Sequence, residues 1–145
     1  MAFQTEFLTA LAGRLHTNGA ATYRPAGGYV AGEVGLYFDQ LATAPDRGIA
    51  LSMYGVDDNT GTTDSTIGVQ ARIRGRRNNR ADVKDIADAL FEDLHDAVHY
   101  QLGGTPVVRS WQQSTTSLPP DGNNRQEATV NYYFQINRTS PHRRD

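Results

Sequence analysis

Residues 67–102 read IGVQARIRGRRNNRADVKDIADALFEDLHDAVHYQL, and within them the spacing of apolar side chains changes from every second residue to every third and fourth. Ile67, Val69, Ala71 and Ile73 alternate with Gly68, Gln70, Arg72 and Arg74. Successive strand side chains point to opposite faces, so the alternation predicts a half-buried strand with Arg72 and Arg74 on its solvent side. Beyond it, Val83, Ile86, Ala87, Leu90, Phe91, Leu94, Val98 and Leu102 fall on one helical stripe, while Asp82, Lys84, Asp85, Asp88, Glu92, Asp93 and Asp96 occupy the remainder. This predicts a helix laid on a sheet. Asn79 or Asp82 is placed to cap its start, Gly103-Gly104 to end it, and Pro106 to prevent its return.

Outward from this stretch, Phe3, Phe7, Leu8, Leu11 and Leu15 predict an opening helix ended by Asn18-Gly19. Short extended pieces are expected around Thr22-Tyr23 and Tyr29-Val30, separated by a turn at Pro25, Gly27 and Gly28. Val34, Leu36 and Phe38, and then Ile49, Leu51 and Met53, alternate as two further strands. The run from Asp57 to Ser65 offers nothing to bury and is expected to be a polar loop joining two strands. A final hairpin is expected, with one strand from about Val107 to Thr116 and the other through Ala128, Val130, Tyr132, Phe134 and Ile136. The fold class expected is α+β, two main helices packed on a mixed or mostly antiparallel sheet, as a single domain over residues 1–138 with a mobile tail over 139–145.

With 145 residues the chain has the size of one domain and can bury perhaps ~70% of the surface of its unfolded form. Hydrophobic residues make up 38% and the mean hydropathy is −0.57, so the core must be lean and much of the chain left for loop or contact surface. The formal net charge of −2 removes whole-domain nucleic-acid binding as the default. The absence of cysteine excludes disulfides, thiolate metal sites and a cysteine nucleophile. No stretch approaches the ~20 apolar residues of a membrane span, and Met1 to Glu6 has no leader pattern. The protein is therefore expected in the cytoplasm until it joins something. Of the 14 basic residues only Lys84 is a lysine, a bias that suits protein contacts and that a GC-rich genome also produces.

The candidate chemical sites do not hold together. Glu92, His95 and His99 have half the spacing of a carboxylate-bridged metal site, but the second copy and the four converging helices are missing. Asp57, Asn59 and Asp64 suggest a calcium loop, yet the sixth position is Thr62 and the twelfth is Gly68, where glycine and glutamate are required. Gly27-Gly28 and Gly103-Gly104 lack the lysine and hydroxyl of a phosphate loop. No spacing assembles serine, histidine and aspartate into a nucleophile elbow. No enzyme, metal or cofactor is expected. Trp111, Tyr133 and Tyr54 read as sheet-packing aromatics or as interface anchors. Arg72, Arg74, Arg76, Arg77 and Arg80 form the dense basic patch, for which contact with another protein is favoured over a plain soluble face, and nucleic acid comes third.

The ordered set of segments resembles the tail terminator proteins of long-tailed bacteriophages, often labelled minor capsid or minor tail proteins. The matching pieces are the helix Phe3 to Leu15, Pro45-Asp46-Arg47 leading into Ile49 to Tyr54, Val69 to Gly75, Asp85 to Phe91 with Leu94-His95, and Asn131 to Phe134. The run from Asp57 to Ser65 and the tail from Ser140 to Asp145 are not placed by the match. The resemblance implies a virion protein at the head-tail junction, a hexamer capping the tail tube, ending its polymerisation and meeting the head connector. It also implies that DNA passes through the ring without specific binding, so the channel lining is expected to be neutral or acidic. A head-completion or connector protein of the same particle, or a nucleic-acid-binding protein, are the alternatives.

Overall fold

The computed structural model describes residues 2–26 and 28–143. Met1, the expected turn residue Gly27, and Arg144 and Asp145 of the expected mobile tail lie outside the described residues. The elements run α1 (Phe3–Thr17), β1 (Gly35–Phe38), β2 (Gly48–Asp58), β3 (Asp64–Arg77), α2 (Asp82–Leu94), β4 (Ala97–Leu102), β5 (Thr105–Leu118) and β6 (Arg125–Asn137). The six strands form one sheet in the order β1-β2-β3-β6-β5-β4, with β1 parallel to β2 and every other pair antiparallel.

The alternation at 67–73 places β3 at the centre. Ile67, Val69, Ala71 and Ile73 are buried, as are Phe134, Tyr132 and Val130 opposite the first three on β6, and Ile136 opposite Ser65. Onto this face α1 lays Phe7, Leu8, Leu11 and Leu15, and α2 lays Val83, Ile86, Leu90 and Leu94. The ring of Phe7 meets Phe134 edge-on at 5.4 Å between centroids. Each such side chain removed from water contributes roughly 1.5–3 kcal/mol, and these contacts hold the helices to the sheet.

The sheet, and not a pair of main helices, dominates the architecture, which corrects the fold class expected above. Helices of 15 and 13 residues accompany strands of 11, 14, 14 and 13 residues in a curled mixed sheet. The largest difference lies between His95 and Leu102, expected to continue α2 and found instead as β4. His95 is already extended, at φ −73 and ψ 124, and Asp96 is left-handed at φ 60. The carbonyl of Leu94 accepts a hydrogen bond from Ser110 Oγ at 2.8 Å, so a strand residue takes up one of the last helical acceptors. Gly103-Gly104 does not end a helix. It forms the two-residue turn of the β4–β5 hairpin, with Leu102 opposite Thr105 and Gly103 at φ +61.

Two loops also differ from expectation. The strands β2 and β3 extend to Asp58 and from Asp64, and Thr63 and Ser65 are buried, so the connection is short and partly packed. Of the extended pieces expected around Thr22 and Tyr29, Thr22 makes an isolated bridge to Gly35. Asn79 Oδ1 accepts from the amides of Ala81 and Asp82, both at 3.2 Å, and serves the start of α2. Past β6, the Arg143 guanidinium donates to the carbonyls of Thr62 and Asp64 beside the β2–β3 turn.

Candidate functional site

The five arginines of the basic patch do not share one environment. Arg74 lies on the strand face opposite the core, as its parity requires, but it is buried and does not face solvent as expected. Its Nε donates to the carbonyl of Asp46 at 2.6 Å, and Nη2 donates to those of Ala42 at 2.6 Å and Pro45 at 2.9 Å. The β1–β2 loop thus folds over the end of β3 and turns Arg74 into a loop clamp. Burial lowers its pKa from the usual arginine value.

The other four remain exposed. Arg72 pairs with Glu127 at 2.8 Å. Arg77 forks onto Asp46, with Nη2 at 2.9 Å from Oδ1 and Nε at 3.1 Å from Oδ2. Arg76 donates its backbone amide to Asp82 Oδ2 at 2.8 Å, while its guanidinium stays 3.7 Å from Oδ1. Arg80 makes no ion pair among the described residues.

Sequence reading gave Asp46 no contact role and named Asp82 only as a possible cap of α2, yet these two carboxylates organise this end of the sheet. Buried Asp82, at the start of α2, receives a two-pronged contact from Arg47, both prongs at 3.0 Å. Asp46 receives Arg77 and also Arg125 at 3.3 Å, while Arg125 donates to Asp121 at 2.8 Å and to the Thr43 carbonyl at 2.6 Å. Hydrogen bonds from the Arg77 side chain hold the Asp46 carboxyl well below the usual carboxylate range against the opposing effect of burial. Short-range pattern gives no sign of the contacts that Arg47 makes to Asp82 and that Arg77 and Arg125 make to Asp46, because those partners are separated by 31 to 79 residues.

On the sheet face away from the helices an aromatic row crosses four strands. Tyr54, Tyr133 and Trp111 meet edge-on at centroid distances of 6.5 and 5.9 Å, and the Arg109 guanidinium caps Trp111 at 4.4 Å. Tyr54 donates to Asn131 Oδ1 at 2.8 Å, and Asn131 donates onward to Ser114 at 3.2 Å. On the helix side, an open groove of about 630 Å³ separates α2 from the far half of the β5–β6 hairpin, with Arg80, Lys84, Asp88, Thr115, Ser117 and Glu127 among its walls.

Glu92, His95 and His99 do not share a helix face. His95 stacks on Phe91 at 4.4 Å and accepts the Gln112 amide, whereas His99 lies on β4. Among the described residues no three His, Asp or Glu side chains are grouped to hold a metal ion, and no helix is long and apolar enough to cross a membrane. What the geometry offers is contact surface: an arginine-rich strand end, a polar-aromatic sheet face and partly uncovered outer strands.

Comparison with known proteins agrees with a contact role. A family model described as bacteriophage tail terminator protein matches residues 14–138. Among solved structures, a chain of the virion of a native gene transfer agent (GTA) particle superposes with a TM-score of 0.55 at 14% identity, over 93% of this chain and 94% of that one. A second solved chain, which carries no functional description, gives a TM-score of 0.59 at 11% identity over 95% and 94%. At such identities the likeness is one of fold. None of the curated proteins matches.

Proposed function

Because this chain belongs to the bacteriophage tail terminator family, we propose that it assembles as a six-membered ring on the finished tail tube, ends tube polymerisation and offers its other face to the head connector. It is a structural tail protein, and in this reading it carries out no reaction. The virion is its destination, after a period in the host cytoplasm, and the genome passes through its hole without specific binding. The family match across the folded body is the observation that carries the reading.

The physical requirements are modest. A head-to-tail contact repeated with a closing rotation gives a ring with no unsatisfied end in its plane. Capping then needs one face complementary to the last tube subunits and another that refuses a further tube layer. The exposed arginines Arg72, Arg76, Arg77 and Arg80 serve such contacts in this reading, while buried Arg74 shapes the loop beside them.

Native mass spectrometry with and without purified tail tubes tests the proposal. The expected species is six times the 15.9 kDa chain mass, bound to tubes. Docking on DNA-filled heads and not on tails would transfer the protein to the connector side, and failure to form the sixfold species in either condition would overturn the ring.

A further inference from the structure

The long strands β2 and β5, each next to a short edge strand, are covered on their outer side over only half their length, at opposite ends. β1 runs beside β2 from Gly48 to Leu51, and the Asp39 amide takes the Leu51 carbonyl at 3.0 Å. Past that point, Met53 to Asp58 has no strand on its outer side. β4 runs beside β5 from Thr105 to Ser110, and His95 Nδ1 accepts the Gln112 amide at 3.1 Å. Past that point, Gln113 to Leu118 likewise has no outer neighbour. The uncovered half of β2 lies at the end of the sheet marked by the β2–β3 turn, and the uncovered half of β5 lies at the other end.

We propose that these two edges pair with each other between copies, Gln113–Leu118 of one subunit running antiparallel to Met53–Asp58 of the next. The inference rests on the ring reading and specifies its joint. Four observations support a second copy as the occupant. First, β2 and β5 run in opposite directions within the sheet, so copies related by rotation about a ring axis present them antiparallel. Second, the short strands do not block the joint: with the next copy displaced by half a strand, β4 of the first copy lies past the β2–β3 turn of the next, and β1 of the next lies past Leu118 of the first.

Third, the β5 edge lacks the charges that usually protect a free edge, while the β2 edge keeps exposed apolar side chains beside the irregularity at Gly55–Asp57 and the two aspartates that follow. Beyond the irregularity at Gln112–Ser114, β5 carries Thr115, Thr116 and Ser117 with no charge or proline before Pro119, and β2 exposes Tyr54 and Val56. Fourth, the charges match. Asp57 and Asp58 are exposed on the β2 edge, and Arg80 and Lys84 share the groove with Thr115 to Ser117 and make no ion pair among the described residues. Asp88 and Glu127 line the same groove, but Glu127 is engaged by Arg72. Pairing opposite halves displaces each copy along the strand direction, so closure requires the strands to tilt against the ring axis, as they do in a closed barrel.

The lack of native cysteine makes the test direct. Val56→Cys and Thr116→Cys are introduced singly and together, their folds are checked by circular dichroism, and the proteins are treated with a short bismaleimide at millimolar concentration. The expected result is a covalent ladder ending at six for the double variant. Its linkage should exceed that of either single variant by about tenfold or more, because paired edges hold the thiols at high effective concentration. Dimers linked in Thr116→Cys alone would replace the proposal by a two-fold β5–β5 contact. A sixfold species by native mass spectrometry without Val56–Thr116 linkage would overturn the edge pairing and leave the ring standing. A ladder running past six would support the pairing and overturn the ring. A chain that stays monomeric and unlinked would overturn the pairing.

Discussion

The Tyr54 ring lies across Gly68 on the neighbouring strand, so close that a Cβ built on Gly68 would stand 2.3 Å from the ring. Glycine here serves close approach, allowing the aromatic row to begin over a bare stretch of backbone. Gly68→Ala is therefore expected to swing Tyr54 outward, breaking its bond to Asn131 and its contact with Tyr133. The ring is partly exposed and can move, so the cost should be about 1 kcal/mol, or a Tm drop of roughly 2–4 °C. Tyr54→Ala should abolish the effect of Gly68→Ala in a double-mutant cycle; an unchanged effect in that background would show that the strain lies elsewhere.

Arg74 and Arg72 sit on the same face of β3, yet their removal should differ sharply. Arg74 holds three carbonyls of the β1–β2 loop, and Arg72 makes one exposed ion pair. Arg74→Met strands those acceptors and should cost about 3 kcal/mol, with the loop around residues 42–46 becoming the first site of limited proteolysis. Lysine cannot reproduce the fork and should rescue little. Arg72→Ala should cost under about 1 kcal/mol. Equal losses in urea melts would contradict the clamp.

The contrast between those two arginines shows what local pattern carries. Parity along 67–74 placed both on the strand face opposite the core, and it did so because side-chain alternation is a property of the strand itself. What covers that face is decided by a loop some 30 residues away, for which the pattern holds no sign. The end of α2 failed for another reason. Val98 and Leu102 fit a helical stripe by coincidence, and no glycine or proline marks the stop after Leu94. A usable sign was present: Gly103-Gly104 flanked by Tyr100-Gln101-Leu102 and Thr105-Pro106-Val107 is a two-residue hairpin signature, and reading it would have turned 97–102 into a strand. The arginines were visible as a cluster, but the half-covered edges emerge from strand order alone.

Acid should weaken the arginine-rich end of the sheet first. Hydrogen bonds from the Arg77 side chain, then its amide and the charges of Arg77 and Arg125, lower the Asp46 pKa against the effect of burial. Asp121 is shifted the same way, burial being outweighed by the Arg125 amide and guanidinium. A carboxylate with a depressed folded pKa adds stability that is present above its unfolded value, near ~3.9, and lost as pH falls toward the folded one. Stability should be level above about pH 5 and decline below about pH 4. Asp46→Asn should be less stable at neutral pH with a shallower acid decline; parallel curves for the two proteins would remove Asp46 as a cause.

Charge reversal at Arg80 and Lys84 separates assembly from folding. Both side chains lie on the wall of the α2 groove without an ion partner among the described residues, so Arg80→Glu with Lys84→Glu should change monomer stability by no more than about 0.5 kcal/mol. If the next copy brings Asp57 and Asp58 to this groove, the same change places four carboxylates together and should abolish the sixfold species. Adding Asp57→Lys and Asp58→Lys should restore it, since those exposed positions carry the complementary charge. Raising salt should weaken the native ring and partly relieve the reversed one, because exposed charges are screened within about 10 Å at 0.1 M. Native mass spectrometry across a salt series reads all three outcomes. Rings that form equally well in wild type, reversed and restored proteins would place the subunit contact away from the α2 groove.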